Sequence, residues 1–105
     1  MGGRAMQRTS VTTAWLLRKH VRSLVFDAVA FEDLAWWVEQ DRSKALRIIR
    51  VIRDVQRDPC RGIGQPEPLK HDLAGCWSRR IDAEHRLVYE VFEDTIRILA
   101  CRYHY

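Results

Sequence analysis

The sequence predicts an α+β fold, with two N-terminal helices packed on one face of a four-stranded, mainly antiparallel sheet. Three observations carry that expectation. From Asp27 to Gln40, and again from Asp41 to Arg57, apolar residues recur at the three- and four-residue spacing of a helix. After Gly75, three short segments alternate in polarity or are rich in β-branched residues, as strands are. Between these halves, Pro59 to Gly75 holds three prolines, three glycines and few apolar side chains, and is expected to be a loop.

In chain order, Leu24-Val25-Phe26 is a short apolar run that suits a first strand, and Asp27 can open the helix behind it. The first helix then places Phe31, Leu34, Ala35 and Val38 on its buried stripe, widened by Trp36 and Trp37, with Glu32, Asp33, Glu39 and Gln40 mostly opposite. A second helix starts at Asp41 or Ser43. Ala45, Leu46, Ile49, Ile52 and Val55 form its apolar face, Arg47, Arg50, Asp54 and Arg57 its polar one, and Pro59 stops it. Trp77 to Ile81, Arg86 to Phe92 and Thr95 to Arg102 are the strands of an antiparallel meander, with Glu93-Asp94 turning the last two.

A length of 105 residues suits one domain with a single core. The net charge of +4 is concentrated at the start, where five basic residues precede Asp27, the first acid. The rest is close to neutral, so any affinity for nucleic acid must come from local clustering. Three cysteines without C-x-x-C spacing argue neither a disulfide framework nor a zinc site, and they suit a reducing, cytoplasmic setting. No apolar run approaches the roughly 18 residues that span a bilayer, so no membrane partner is expected. Residues 1–20 carry Arg, Ser and Thr, no acid, and a threonine-interrupted apolar stretch. They are expected to be a poorly ordered leader or an upstream start, ahead of a domain spanning 21–105.

Chemistry-bearing residues cluster in the second half. The chain carries Gln65-Pro66-Glu67-Pro68-Leu69-Lys70-His71, Gly75-Cys76-Trp77-Ser78-Arg79-Arg80-Ile81, Glu84-His85-Arg86-Leu87-Val88-Tyr89 and, at its end, Cys101-Arg102-Tyr103-His104-Tyr105. RNA can be cut by its own 2′-hydroxyl. One group must take that proton, another must protonate the departing 5′-oxygen, and a cation must meet the charge growing on the phosphate. Glu67, His104 and Arg86 are residues of those types. Judged singly, each has a plainer role: Glu67 as a solvated loop acid, Arg86 in a structural salt bridge, His104 at a frayed end. Arg79 and Arg80 alternate across a strand, so one alone can face a substrate, and Arg80 is the choice. His71 and His85 are read as loop and turn residues. No carboxylate or histidine cluster with metal-ligand spacing and no phosphate-binding glycine loop is present.

Those four blocks, in one order from about Val21 to the C-terminus, resemble the YoeB family of toxins in the RelE/ParE superfamily. The resemblance implies a ribosome-dependent endoribonuclease that cuts messenger RNA without metal or other cofactor and inhibits translation. It implies Glu67 as general base, Arg86 as phosphate-stabilising cation and His104 as general acid, with Lys70, Arg80 and Tyr105 binding substrate. It also implies a YefM-type antitoxin, the ribosome and messenger RNA as partners, and a homodimer. Two positions depart from the pattern: Cys76 where an aromatic is common, and Asp72 where an amide is. Two alternatives stay open. One is a ParE-like toxin that binds a protein target without nuclease activity; the other is a non-catalytic RNA-binding module that relies on surface charge. Separately, Arg47, Arg50 and Arg57 on the second helix are read either as a solvated face or as a ribosomal RNA contact.

Overall fold

The computed structural model describes residues 21–103; residues 1–20, for which a leader or upstream start is expected, and His104 and Tyr105 lie outside the described residues. Strand β1 (Ser23–Phe26) leads into α1 (Ala28–Gln40) and α2 (Arg42–Arg57). There follow β2 (Glu67–Pro68), a single 3-10 turn at His71–Leu73, β3 (Cys76–Arg80), β4 (Arg86–Val91) and β5 (Thr95–Ala100). The sheet order is β1-β5-β4-β3-β2, with β1 parallel to β5 and every other pair antiparallel.

The sheet therefore has five strands where the sequence predicts four. The additional one is β2, in which Glu67 pairs with Ser78 and Pro68 with Trp77. Proline has no N–H to give a ladder, so a Pro-Glu-Pro segment can join a sheet only along its margin, and β2 is the margin strand. Such a strand leaves almost no periodic signal.

Helix bounds match the capping chemistry in one case and not in the other. Asp41 accepts a hydrogen bond from the Lys44 amide at 3.2 Å and so caps α2. Asp27 precedes α1 without capping it, because both its oxygens are taken by the Arg97 guanidinium, at 2.7 and 3.0 Å.

The core joins the helices to one face of the sheet: Ala30 and Trp37 from α1, Ala45, Ile48, Val51, Ile52 and Val55 from α2, and Leu87, Tyr89, Ile96 and Ile98 from β4 and β5. Both helices are rotated from the predicted faces. On α1, Phe31 and Val38 are 60% and 52% exposed, while Ala30 and Trp37 point inward. The indole decides this rotation, since inside it fills a large volume and its N–H reaches the Cys101 carbonyl at 2.8 Å. On α2, Ile48 and Val51 replace Leu46, which is half exposed. Apolar residues run so far round both helices that spacing alone does not set the angle.

At the margin of this core lies Arg79, fully buried. Its guanidinium pairs with Asp54 and donates to the carbonyls of Asp58, Arg61 and Ile63, while its Nε donates to the Tyr89 hydroxyl at 3.1 Å. Partial burial acts to raise the Asp54 carboxyl. The Arg79 hydrogen bond, the Ile63 amide and the charges of Arg79 and Arg57 outweigh it and hold the group below its ordinary value of 3.8. All three cysteines are free. Burial, then the neighbouring Asp33, pushes the Cys101 thiol up to about 12. Burial and then Glu90, opposed by Arg97, raise Cys76.

Two outcomes follow. Asp54→Ala leaves a buried guanidinium without its counter-charge and is expected to lower unfolding stability by about 3 kcal/mol at neutral pH. Because the native carboxyl is depressed, its contribution is complete above the ordinary value and is lost as pH falls through the lowered one. Urea titrations should show the gap between wild type and variant closing in acid, and a gap independent of pH contradicts the assignment. In native protein a maleimide should label Cys60 alone, which is exposed, with Cys76 and Cys101 reacting only after unfolding.

Candidate active site

With the helices on one face, strand alternation assigns the other face its side chains. Glu67 from β2, Ser78 and Arg80 from β3, and Arg86 and Val88 from β4 share it, since Glu67 pairs with Ser78, Ser78 with Val88 and Arg80 with Arg86. Arg79, one residue from Arg80, is on the core side. Alternation made legible that the two arginines face opposite ways, but not which of the two faces would be open.

Glu67 is positioned from both sides. Pro66 and Pro68 restrict the backbone around it, and the preceding loop is tied down where the Gly64 carbonyl accepts from the Arg80 amide at 2.6 Å. Gly64 has φ of 82°, and a Cβ there would sit 2.9 Å from the Arg80 carbonyl oxygen, so this approach needs glycine. The carboxylate itself remains open to solvent.

Arg86 begins β4 and spans the gap to β2. Its Nη2 meets Glu67 Oε2 at 3.1 Å, and its Nε donates to Ser78 Oγ at 2.9 Å. The arginine side chain is 16% exposed and the glutamate 64%, so a well-held cation faces a freely hydrated anion. Two of the guanidinium's five N–H groups are thus engaged, which leaves the others for an anionic ligand. Arg80 lies opposite Arg86 in the ladder and is exposed, so their Cβ atoms are roughly 5 Å apart and the two charges reinforce a positive field.

The remaining candidates divide. Lys70 is exposed and precedes the 3-10 turn, but makes no ion pair with Glu67 or any other described residue. His104 and Tyr105 lie outside the described residues. The chain leading to them is nevertheless brought to the site, because the Arg86 amide donates to the Tyr103 carbonyl at 3.0 Å. Of the α2 arginines, Arg47 and Arg50 line a cleft of about 410 Å³ with Ser43, Lys44, Leu46 and Ile81. Arg47 also reaches the Arg80 carbonyl at 3.4 Å. Arg57 ends the helix and does not line that cleft.

Ser78 is a site residue the sequence reading did not single out. The available signal was a small hydroxyl two residues before Arg80, on the same side of one strand. Among the described residues, no three His, Cys, Asp or Glu side chains gather as a metal-ligand set, and no helix is long and apolar enough to cross a membrane.

The chain has counterparts in sequence and in fold. The sequence profile of YoeB-like toxins of bacterial type II toxin–antitoxin systems matches residues 26–105. Toxin YoeB of Mycobacterium bovis is 54% identical over 85 residues, covering 81% of this chain and 100% of that protein. Among solved structures, the YoeB dimer from Staphylococcus aureus is 40% identical with a TM-score of 0.75, covering 80% of this chain and 98% of that one. The toxin in a heterotetrameric YoeB–YefM toxin–antitoxin complex from Staphylococcus aureus is also 40% identical, with a TM-score of 0.73 and the same coverage. On this evidence the chain belongs to the YoeB family of toxins of bacterial type II toxin–antitoxin systems.

Proposed function

We propose that this toxin is an endoribonuclease that cuts messenger RNA on the ribosome by acid–base catalysis without a metal, and so inhibits translation. The observation that carries the reading is the Glu67–Arg86–Ser78 constellation on the open sheet face, with the C-terminal segment held at the Arg86 backbone. Glu67 takes the proton from a 2′-hydroxyl, whose oxygen attacks the adjacent phosphorus. Arg86, oriented by Ser78, meets the negative charge that accumulates on the non-bridging oxygens. His104 gives its proton to the departing 5′-oxygen as the P–O bond breaks. The products are a 2′,3′-cyclic phosphate, or its hydrolysed form, and a free 5′-hydroxyl.

Arg80 and Lys70 hold neighbouring phosphates as exposed cations, and Tyr105 stacks on a base, a contact that every base can make. As the phosphate enters, it takes the guanidinium donors turned toward Glu67 and frees that carboxylate to act. The partners proposed are the ribosome with its messenger, a YefM-type antitoxin and a second copy of the chain, within the cytoplasm. The solved Staphylococcus aureus relatives support the last two partners. The exposed Phe31 and Val38 on α1 suit coverage by protein.

In a translating extract, purified protein should cut messenger with chelator present. Glu67→Gln and His104→Ala should each lower the cleavage rate by about a hundredfold or more, and Arg86→Ala by a similar amount. Ser78→Ala should lower it about tenfold through loss of one orienting bond. Cleavage abolished by chelator, or full activity in His104→Ala, contradicts the mechanism. Growth arrest without any RNA cleavage would favour the ParE-like alternative, and RNA binding that survives Glu67→Gln in a non-toxic protein the binding module.

A further inference from the structure

We infer that His85 is a positioning residue for catalysis, clamping the C-terminal segment from which His104 must act; the inference rests on the nuclease reading above. Tyr103 has φ of 63°, in the left-handed region that costs a bulky residue free energy and persists only where surroundings impose it. What imposes it is a pair of adjacent residues. His85 Nδ1 accepts the Tyr103 N–H at 2.6 Å, and the Arg86 N–H donates to the Tyr103 carbonyl at 3.0 Å. Both polar groups of Tyr103's backbone are thereby taken, and the carbonyl that Arg86 holds belongs to the peptide bond leading into His104.

The imidazole is itself fixed. Its ring stands edge to face on Trp37 with centroids 4.8 Å apart, and lies 5.7 Å from the Tyr103 ring. Its backbone is locked into the β3–β4 turn, where the amide donates to Asp82 Oδ1 at 2.7 Å and the carbonyl accepts from Ile81 at 2.9 Å. Further along the same segment, the Arg102 guanidinium lies 3.5 Å from the Trp36 ring centroid and 4.6 Å from that of Tyr103. A ring present only to pack has no need of an acceptor aimed at a main-chain amide. In this fold the turn that delivers the phosphate-binding arginine also carries the peg that sets where the acid-bearing end departs.

The test compares His85→Leu, which keeps bulk and loses the acceptor, with His85→Asn, whose Oδ1 can replace Nδ1. In the ribosome-dependent assay, His85→Leu should lower kcat about tenfold to a hundredfold with KM within about twofold, because Glu67 and Arg86 stay in place. His85→Asn should recover kcat to within about threefold of wild type. Hydrogen exchange at the Tyr103 amide supplies a readout independent of activity: protected in wild type and His85→Asn, at least about tenfold faster in His85→Leu. Equal exchange in all three proteins overturns the clamp. A loss of kcat in both variants that tracks a lowered melting temperature also overturns it, since His85 would then serve the fold alone. If wild type itself cuts no RNA, the nuclease reading fails, and amide exchange alone decides whether the clamp exists.

Discussion

A guanidinium without solvent contact dictates how the two halves of this molecule meet. Arg79 would cost several kcal/mol if buried unpaired, so the chain around it is arranged to supply acceptors: one carboxylate, three carbonyls and a phenol. Those acceptors come from α2, from the 58–63 loop and from β4, which are thereby gathered round one planar group. Tyr89 extends the set by donating its own hydroxyl proton to the Pro59 carbonyl at 2.6 Å. Space at this point is scarce. Gly62 has φ of 134°, and a Cβ on it would fall 1.8 Å from Asp54 Oδ2, so the ion pair and the glycine require each other. The loop so fastened ends at Gly64 and Gln65, directly before the Pro-Glu-Pro segment.

Because side chains alternate along a strand, burying Arg79 commits Arg80 to the opposite side, and with it the whole chemical face. The two surfaces of the sheet consequently hold their arginines under different rules. On the helix side a single cation is saturated with acceptors and serves the fold. On the open side, among the described residues, Arg86 keeps unused donors, Arg80 makes no ion pair, and Arg97 is spent on Asp27 and Glu90. A small apolar cluster of Leu69, Cys76 and Val88, with Leu99 against it, separates the Arg86 region from the Arg97 region. Positive potential is thus left near β2 and β3 and neutralised near β1, which localises attraction for a phosphate in a chain whose body is close to neutral.

How much of this was legible in the residues varied with the strength of the local signal. Both helices, the first strand and the meander announce themselves by periodicity and by Pro59 as a stop. Strand β2 does not, since two residues flanked by proline have no period to detect. Helix rotation was misjudged for a related reason: α1 has apolar residues at 28, 29, 30, 31, 34, 35, 36, 37 and 38. The choice among them depends on the indole reaching a carbonyl 64 positions away. At the site, residue types showed which chemistry was available, and the family resemblance singled out Glu67 and Arg86. Their meeting at 3.1 Å is a matter of tertiary pairing between β2, β3 and β4. Ser78 is not singled out by the sequence, and His85 reads there as a turn residue, because the contacts that place them at the site, Ser78 to Arg86 and His85 to the Tyr103 amide, are tertiary hydrogen bonds that no spacing rule contains.

On the proposed reading, an open carboxylate beside an open face bears on why the toxin would depend on the ribosome. Electrostatic stabilisation is strong where water is excluded and weak where it is not. With Glu67 largely hydrated, the described part of the isolated fold offers one open wall: a carboxylate and a guanidinium held beside it, which on the proposed reading are the base and the phosphate-stabilising cation. On the proposed reading, the second wall is the messenger held in place on the ribosome, which presents one phosphate in line and displaces the water around the carboxylate. The constraint then divides the labour physically. The protein fixes the relative positions of its groups through the Arg79 knot and the Tyr103 anchorage, and the ribosome fixes the substrate against them. On that same reading, the site would have little catalytic power toward free RNA, because neither desolvation nor in-line geometry would be supplied by the protein alone.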